Sequence, residues 1–344
     1  MSGVTEPGPS AVPGLTRADP RSPGITRMPA GDGFRYSDAS GAHVTDAGTL
    51  QRIRALAIPP AWKDVWISPD PAGHIQATGV DSRGRTQYRY HELWRQQRDA
   101  LKFDHMLLFA DALPALRAAV LRDLRGRSMS RDHVAAAAVR LIDLGLFRIG
   151  GERYAELDHH YGVTTLEKRH VRVGRDGLTF DYTAKEGKRR ELAVDDSAVR
   201  PTVRMLADAD NGLEELLSWQ ADGVWRPLHS HDVSAYIAEN AGGHFTAKEF
   251  RTWNATVLMA LLLASAQPAA SQRGIRSVIT ASIRGVADRL GDTPAVARAS
   301  YIDPRLISRY ETDRQLPTVP VLPAELPVTV QAEIAVEALL AREH

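Results

Sequence analysis

The pattern of apolar and polar residues changes character near residue 101. Before it, short β-prone runs at 65–67 and 74–78 lie on either side of the turn signal Pro-Asp-Pro-Ala-Gly. After it, apolar residues recur at helical spacing, for example over 273–290. This order of patterns predicts an α+β chain in which a small β-rich domain precedes a larger, mainly α-helical domain.

The same pattern sets the expected domain bounds. Residues 1–24 are rich in Pro, Gly and Ser, and we expect them to form a disordered arm. Residues 25–101 form the β-rich domain. Residues 102–344 form the helical domain, which is expected to end in a C-terminal helix.

The helical domain also contains three β-prone runs, at 170–173, 178–182 and 190–194, which are separated by glycine-containing turns. They predict a three-stranded sheet of hairpins. Lys185 falls on the turn between the last two strands. Most loop lysines only increase solubility, so the position alone does not make Lys185 functional.

Composition narrows the class of protein. The 344 residues are enough for two domains, and the apolar fraction of 43% with 25% charged residues is typical of globular proteins. The absence of cysteine excludes disulfides, thiolate zinc sites and cysteine nucleophiles, and it fits a cytoplasmic location. No run approaches the ~18 apolar residues of a membrane span. The histidine clusters at 158–160 and 229–232 match no strong metal-ligand spacing, so we expect no metal site.

One turn near the C-terminus is predicted in detail. Gly291 can end a helix in a left-handed conformation, and Thr293 with Pro294 forms the cap and first position of a new helix. Pro304 stops that helix just past Tyr301. The pattern predicts an exposed tyrosine between two helix ends, where it can meet a substrate or simply pack.

Several basic residues are placed where an anion would stabilise them. Arg148 lies between apolar neighbours, and a buried arginine needs a partner anion. Thr246 and Glu249 form a capping box that begins a helix, and Lys248 and Arg251 share one face at its N-terminus. A phosphate would satisfy these cations together with the free amides. Solvated surface charges fit the pattern about equally well.

A second basic stretch at 81–91 alternates arginine with tyrosine and glutamine. At strand spacing, one face can present arginine and the other tyrosine, which suits phosphates and base edges respectively. An edge strand with solvated charges is the alternative. The candidate nucleic-acid-binding residues are Arg83, Arg85, Gln87, Tyr88 and Tyr90.

Taken in chain order, these motifs resemble the type IB DNA topoisomerases, in the small poxvirus-like bacterial branch. The resemblance covers roughly residues 34–310. It is carried by Arg148 in an Arg-Ile-Gly context, Lys185, Lys248-Glu249-Phe250-Arg251, Tyr161–Leu166 and Tyr301, with 58–62 and 84–90 matching the N-terminal DNA-binding domain. The resemblance implies a monomer that closes around duplex DNA as a C-shaped clamp. It further implies an isomerase of the nucleoid that relaxes supercoils with neither ATP nor a required metal.

The resemblance also implies roles. Tyr301 would attack the phosphodiester and form a 3′-phosphotyrosyl intermediate. Arg148 and Arg251 would stabilise the negative charge of the transition state, because planar guanidinium forks suit phosphate oxygens. Lys185 would be the general acid for the leaving 5′-oxygen, and Lys248 would add positive charge.

One residue departs from the family. Nine residues before the tyrosine, the family has His or Asn as a hydrogen-bond donor to the phosphate, and this chain has Asp292. An ionised carboxylate only accepts and would repel the phosphate, unless it is protonated or turned away. Two alternatives therefore stay open. One is a tyrosine recombinase, although that class usually has His where this chain has Lys248, and the other is a catalytically weakened DNA-binding relative.

Overall fold

The computed structural model describes residues 12–152, 155, 158–314, 316 and 330–341. The chain divides into two compact units, Met1–Asp104 and His105–His344. The division thus falls a few residues beyond the boundary expected after residue 101. Within the described residues, no helix is both long and apolar enough to traverse a lipid bilayer.

The first unit is built on an antiparallel sheet whose strand order is β2-β1-β3-β4-β5. The strands are β1 (Ile25–Ala30), β2 (Gly33–Ser37), β3 (Lys63–Ile67), β4 (Ile75–Val80) and β5 (Thr86–Tyr90). Helix α1 (Ala47–Ala55) begins at Asp46, whose carboxylate accepts from the Thr49 amide at 2.7 Å. Ile53 of this helix is buried with Ile67 and other strand residues, so helix and sheet share one core.

The N-terminal arm is ordered where it is described. Val12 and Leu15 are buried against Trp94, and Thr16 exchanges backbone hydrogen bonds with Ala72 and His74 at 2.9 and 3.0 Å. The expectation of disorder over residues 1–24 is therefore wrong from residue 12 onward, while residues 1–11 lie outside the described part. The Pro- and Gly-rich composition indicates that ordering this arm would cost too much conformational entropy. The burial of Val12 and Leu15 offsets that cost.

Helices dominate the second unit, and the expected α+β class is confirmed. The helices after α1 are α2 (Glu92–Asp123), α3 (Arg131–Gly145), α4 (Arg200–Ala207), α5 (Ser230–Ala241), α6 (Ala247–Ser265), α7 (Gln272–Leu290), α8 (Pro294–Ser300), α9 (Pro304–Asp313) and α10 (Val330–Ala341). Helix α2 is continuous and accommodates Pro114 in its interior.

The small sheet of the second unit is confirmed. Its strands β6 (Val171–Val173), β7 (Leu178–Thr183) and β8 (Arg189–Val194) pair antiparallel in the order β6-β7-β8. The second unit also contains a hairpin of β9 (Ser218–Ala221) and β10 (Val224–Pro227), which the sequence pattern does not predict. Its strands are only four residues long, which is too short for a clear period-2 pattern.

A buried charge network fixes the C-terminal helix α10 on the core of the second unit. Arg117 of α2 pairs with Asp143 of α3 at 2.8 Å and with Glu333 of α10 at 2.6 Å. Glu333 also accepts from the indole N–H of Trp253 in α6 at 3.1 Å. Removing one partner would leave a buried charge unpaired, so the network makes helix packing specific.

Candidate active site

The turn between α7 and α9 has the predicted caps. Gly291 has φ +69° and ends α7, and its N–H donates to the Asp288 carbonyl at 3.2 Å. The hydroxyl of Thr293 accepts from the Val296 amide at 3.3 Å, and Pro294 is the first residue of α8. Helix α8 ends at Ser300, so Tyr301 follows directly.

Tyr301 is not the exposed residue that the sequence predicted, because only 8% of its surface is accessible. The Arg251 guanidinium carbon lies 5.0 Å from the centroid of its ring. The Thr256 hydroxyl donates to the Tyr301 carbonyl at 3.1 Å and accepts from the Asp303 amide at 3.2 Å. Helix α6 thus supplies both the cation over the ring and the hydroxyl that fixes the backbone.

Arg148 is held by the segment just past α3. Leu146 ends that helix with φ 52°, and Phe147 is fully buried beside Phe180 and Tyr182, with ring centroids 5.1 and 5.9 Å away. The Arg148 carbonyl accepts from the Val163 amide at 2.8 Å. Because the ring of Phe147 is fixed in the core, the next side chain is directed by a rigid backbone.

A close crossing of two glycines supports this segment. A Cβ on Gly162 would lie 2.4 Å from the Gly150 nitrogen and 2.7 Å from the Arg148 oxygen. The Thr164 amide and hydroxyl both bond the Ile149 carbonyl at 2.9 Å. The backbone that carries Arg148 therefore depends on the missing side chain at Gly162.

We expect Gly162→Ala to lower the free energy of unfolding by about 2–3 kcal/mol, because backbone atoms cannot yield as a flexible side chain does. Urea unfolding measures this. Gly174→Ala is the matched control, since its Cβ would meet the nearest atom at an ordinary 3.4 Å. Equal stability of the two variants would show that the crossing is not tight.

Arg251 joins three segments at the centre of the site. The capping box predicted for α6 is present, with the Thr246 amide donating to Glu249 at 2.8 Å. Arg251 lies one turn later and is 3% exposed. Its guanidinium donates to the carbonyls of Leu146 and Leu290, the latter at 3.0 Å. Since these carbonyls end α3 and α7, Arg251 connects the Arg148 segment to the tyrosine turn.

Asp292 does not turn away from the site. One of its carboxylate oxygens lies 2.5 Å from Arg148 Nη2 and the other lies 2.7 Å from Arg251 Nη2. Its side chain is 8% exposed. Asp292 instead holds the two arginines together as an internal anion.

A fourth charged residue, Arg190 of β8, was missed by the sequence analysis. It donates to the carbonyls of Leu290, Gly145 and Arg289, the last two at 3.0 and 3.1 Å. Burial is the main factor that lowers the pKa of its guanidinium, to about 10. A signal was present, because period-2 alternation places Arg190 on the same buried face as Leu192 and Val194.

The two candidate lysines are placed differently from the arginines. Lys185 lies exposed on the turn between β7 and β8, where Glu186 and Gly187 have φ of 68° and 71°. Lys248 is exposed in the first turn of α6, one turn before Arg251. Among the described residues, neither ammonium group forms an ion pair with Asp292, the carboxylate of the site. The structure thus brings together Tyr301, Arg148, Arg251 and Asp292. Lys185 lies on a separate exposed turn, and Lys248 lies on the exposed first turn of the helix that carries Arg251.

Comparison with known proteins identifies the family of this arrangement. The family model described as eukaryotic DNA topoisomerase I, catalytic core, matches residues 91–315, well over half of the chain. The chain belongs to the type IB DNA topoisomerases. The model for the N-terminal domain of bacterial DNA topoisomerase IB matches residues 33–81. The family resemblance drawn from the motifs is thereby confirmed.

This type IB topoisomerase aligns with viral relatives over most of the length of each viral protein. DNA topoisomerase 1B of Acanthamoeba polyphaga mimivirus is 30% identical over 296 residues, which are 84% of this chain and 88% of the viral protein. DNA topoisomerase I of monkeypox virus and DNA topoisomerase 1B of vaccinia virus (strain Copenhagen) are each 21% identical over 230 residues. These cover 65% of this chain and 68% of each viral protein.

In this topoisomerase, the candidate DNA-binding residues lie on and just before β5. Tyr88 and Tyr90 are on one face, with ring centroids 5.8 Å apart and an interplanar angle of 13°. Tyr88 is 46% exposed, whereas Tyr90 packs partly against the core around Trp94. The ring of Tyr88 is therefore the more accessible surface for a base or sugar.

Arginine and tyrosine alternate only within β5, where Tyr88 and Tyr90 share one face and Arg89 lies between them. Arg83 and Arg85 precede β5, on a turn closed by Asp81. The backbone N–H and the side chain of Arg85 lower the pKa of the Asp81 carboxyl to about 2. The same carboxylate accepts a hydrogen bond from the side-chain amide of Gln87 at 3.0 Å. Asp81 therefore orders Arg85 and Gln87 on one edge of the sheet.

Proposed function

We propose that the chain relaxes supercoiled duplex DNA by a transient single-strand break at Tyr301. The observation that carries the proposal is that Arg148 and Arg251 converge on one carboxylate, while the guanidinium of Arg251 also lies over the ring of Tyr301. A site that holds a carboxylate between two guanidinium forks has the charge and geometry to hold a phosphate.

The proposed reaction is a transesterification. The phenolate oxygen of Tyr301 attacks phosphorus, a 3′-phosphotyrosyl ester forms, and the bond to the 5′-oxygen breaks. That oxygen takes a proton and leaves as a hydroxyl, and the reverse attack reseals the strand after rotation. The ester preserves the bond energy, so neither ATP nor another energy source is needed.

Each cation has a proposed part in this reaction. A neutral phenol is a poor nucleophile, and the Arg251 guanidinium supplies positive charge close to the ring of Tyr301. Arg148 and Arg251 stabilise the equatorial oxygens of the transition state. Lys185 gives a proton to the leaving 5′-oxygen, and Lys248 adds positive charge and assists that transfer.

Asp292 gives the arginines a substitute ligand in the absence of DNA. A phosphate that enters the site competes with this carboxylate for the same two forks. We therefore expect Asp292 to keep the arginines ordered and to slow cleavage.

Asp292→Asn is expected to raise the single-turnover cleavage rate about tenfold, since a neutral amide no longer repels the phosphate. It is also expected to lower the free energy of unfolding by about 2–3 kcal/mol, because two arginines lose their anion. Gel assays of trapped adducts and thermal unfolding measure the two effects.

Asp288→Asn is the matched control for this change. It removes an exposed carboxylate from the last turn of α7, just before the turn that carries Asp292, and we expect it to leave both quantities unchanged. An unchanged or lower cleavage rate in Asp292→Asn would show that the carboxylate is tolerated or used.

Duplex DNA is the proposed partner, contacted in the first unit by Arg83, Arg85, Gln87, Tyr88 and Tyr90. The arginines suit phosphates, the glutamine suits a base edge, and the exposed tyrosine suits a base or sugar. We propose that one chain acts alone on the duplex.

Relaxation of a supercoiled plasmid in EDTA and without ATP tests the proposed function. We expect stepwise loss of supercoils by the monomer. Plasmid that binds but stays supercoiled would indicate a DNA-binding relative without catalysis. Strand exchange that requires an assembled pair of duplexes would indicate a recombinase instead.

A further inference from the structure

Arg190 is a buried cation without a carboxylate partner among the described residues. All of its hydrogen bonds go to backbone carbonyls, and its Nε has no hydrogen-bond partner within the described structure. Burying an uncompensated guanidinium is costly. A buried guanidinium at this position therefore indicates that the site requires either its positive charge or its hydrogen-bond donors.

The position of Arg190 links it to the tyrosine site. Its Nη1 lies 2.8 Å from the place where a Cβ on Gly291 would be, directly beside Asp292. The carbonyl of Leu290 accepts from both Arg190 and Arg251. After burial, the like charges of Arg251, Arg289 and Arg148 contribute to lowering the pKa of the Arg190 guanidinium. The charge of Arg190 therefore interacts electrostatically with Arg148 and Arg251.

Formal charges show what Arg190 contributes. We define the tyrosine-site cluster as Arg148, Arg190, Arg251 and Asp292. Its carboxylate cancels one of the two charges of the arginines that it bridges. Without Arg190, the cluster would present a single net positive charge to a dianionic transition state, and with Arg190 it presents one more.

We propose that Arg190 is the positioning residue that compensates for Asp292, keeping the Arg148–Arg251 pair positive and fixing the Leu290 carbonyl that Arg251 uses. The proposal rests on transesterification at Tyr301. It predicts that the need for Arg190 depends on the charge at position 292. A residue that only supports the fold would be needed equally with either side chain there.

A double-mutant cycle tests this dependence. The measured quantity is the initial rate of SDS-trapped covalent complex on supercoiled plasmid at saturating enzyme. Arg190→Met is expected to lower this rate about 30-fold in the natural chain, and less than about threefold when it is combined with Asp292→Asn. The double variant has the same cluster charge as the natural chain, so its rate should lie within about fivefold of it.

Further variants separate charge from hydrogen bonding. Arg190→Lys keeps the charge and should retain most of the rate, whereas Arg190→Gln keeps amide donors without the charge and should behave like Arg190→Met. Arg190→Gln also replaces Arg190→Met in the cycle if the latter does not fold. Arg189→Met is the control from the same strand, an exposed residue paired with Asp181 at 2.7 Å, and should change nothing.

Equal losses in the natural chain and in the Asp292→Asn background would overturn the proposal and leave Arg190 as a support of the fold. A natural chain that forms no covalent complex at all would overturn the proposed function, which is a separate result.

Discussion

Tyr301→Phe is expected to abolish the covalent DNA complex and plasmid relaxation, since phenylalanine has no oxygen to attack phosphorus. DNA affinity should stay within about twofold, because phosphate contacts made by other residues dominate binding. The ring and its contact with Arg251 remain, so the fold should be unaffected. Adducts are measured by SDS trapping and affinity by gel shift at fixed salt.

Tyr310→Phe is the matched control for the loss of a tyrosine hydroxyl. Tyr310 lies in the next helix, α9, is 1% exposed, and its hydroxyl has no hydrogen-bond partner among the described residues. Its removal should leave adduct formation unchanged and stability equal or slightly higher. A covalent complex that persists in Tyr301→Phe would refute the assignment of the nucleophile.

Local chemistry made part of this site predictable from sequence. The glycine that ends α7, the threonine cap of α8 and the capping box of α6 each depend on residues within four positions of one another. Such interactions have the same geometry in any fold. Their confirmation placed Tyr301 and Arg251 on the correct elements.

Long-range partners could not be predicted in the same way. Arg148 and Asp292 are 144 positions apart, and the sequence predicted repulsion of phosphate by Asp292 without showing which cations it would bind. The burial of Tyr301 likewise depends on Arg251 and Thr256, which come from another helix. Only the folded chain shows that the unexpected acid is a ligand of the two expected arginines.

For Arg190, the sequence predicts the burial of the side chain but not its hydrogen-bond partners. The period-2 pattern of β8 placed it on the buried face, so its burial was predictable. Its partners are backbone carbonyls at the ends of α3 and α7. Because every residue has a backbone carbonyl, the residue types do not indicate which carbonyls will accept these hydrogen bonds. A buried arginine without a predicted acidic partner is therefore a sequence signal of a carbonyl-lined or anionic site.

Lys185→Ala is expected to slow cleavage of an ordinary phosphodiester about 10³-fold, because the 5′-oxygen leaves poorly without a proton. The exposed turn, with two left-handed residues beside Lys185, allows the ammonium to approach DNA without disturbing the buried arginines. The loss should nearly disappear on a 5′-bridging phosphorothiolate, since a thiolate leaves without protonation. Both rates are measured in single turnover.

Lys188→Ala is the control from the same turn. Lys188 is also exposed and lies 3.8 Å from Glu186, so its removal changes the local charge without touching the proposed acid. We expect nearly equal rates for this variant and the natural chain on both substrates. Because phosphorothiolate cleavage is expected to require Tyr301 and the arginines as well, a defect in Lys185→Ala that is equally large on both substrates would assign the lysine to phosphate binding. A defect confined to the phosphodiester would assign it to proton transfer.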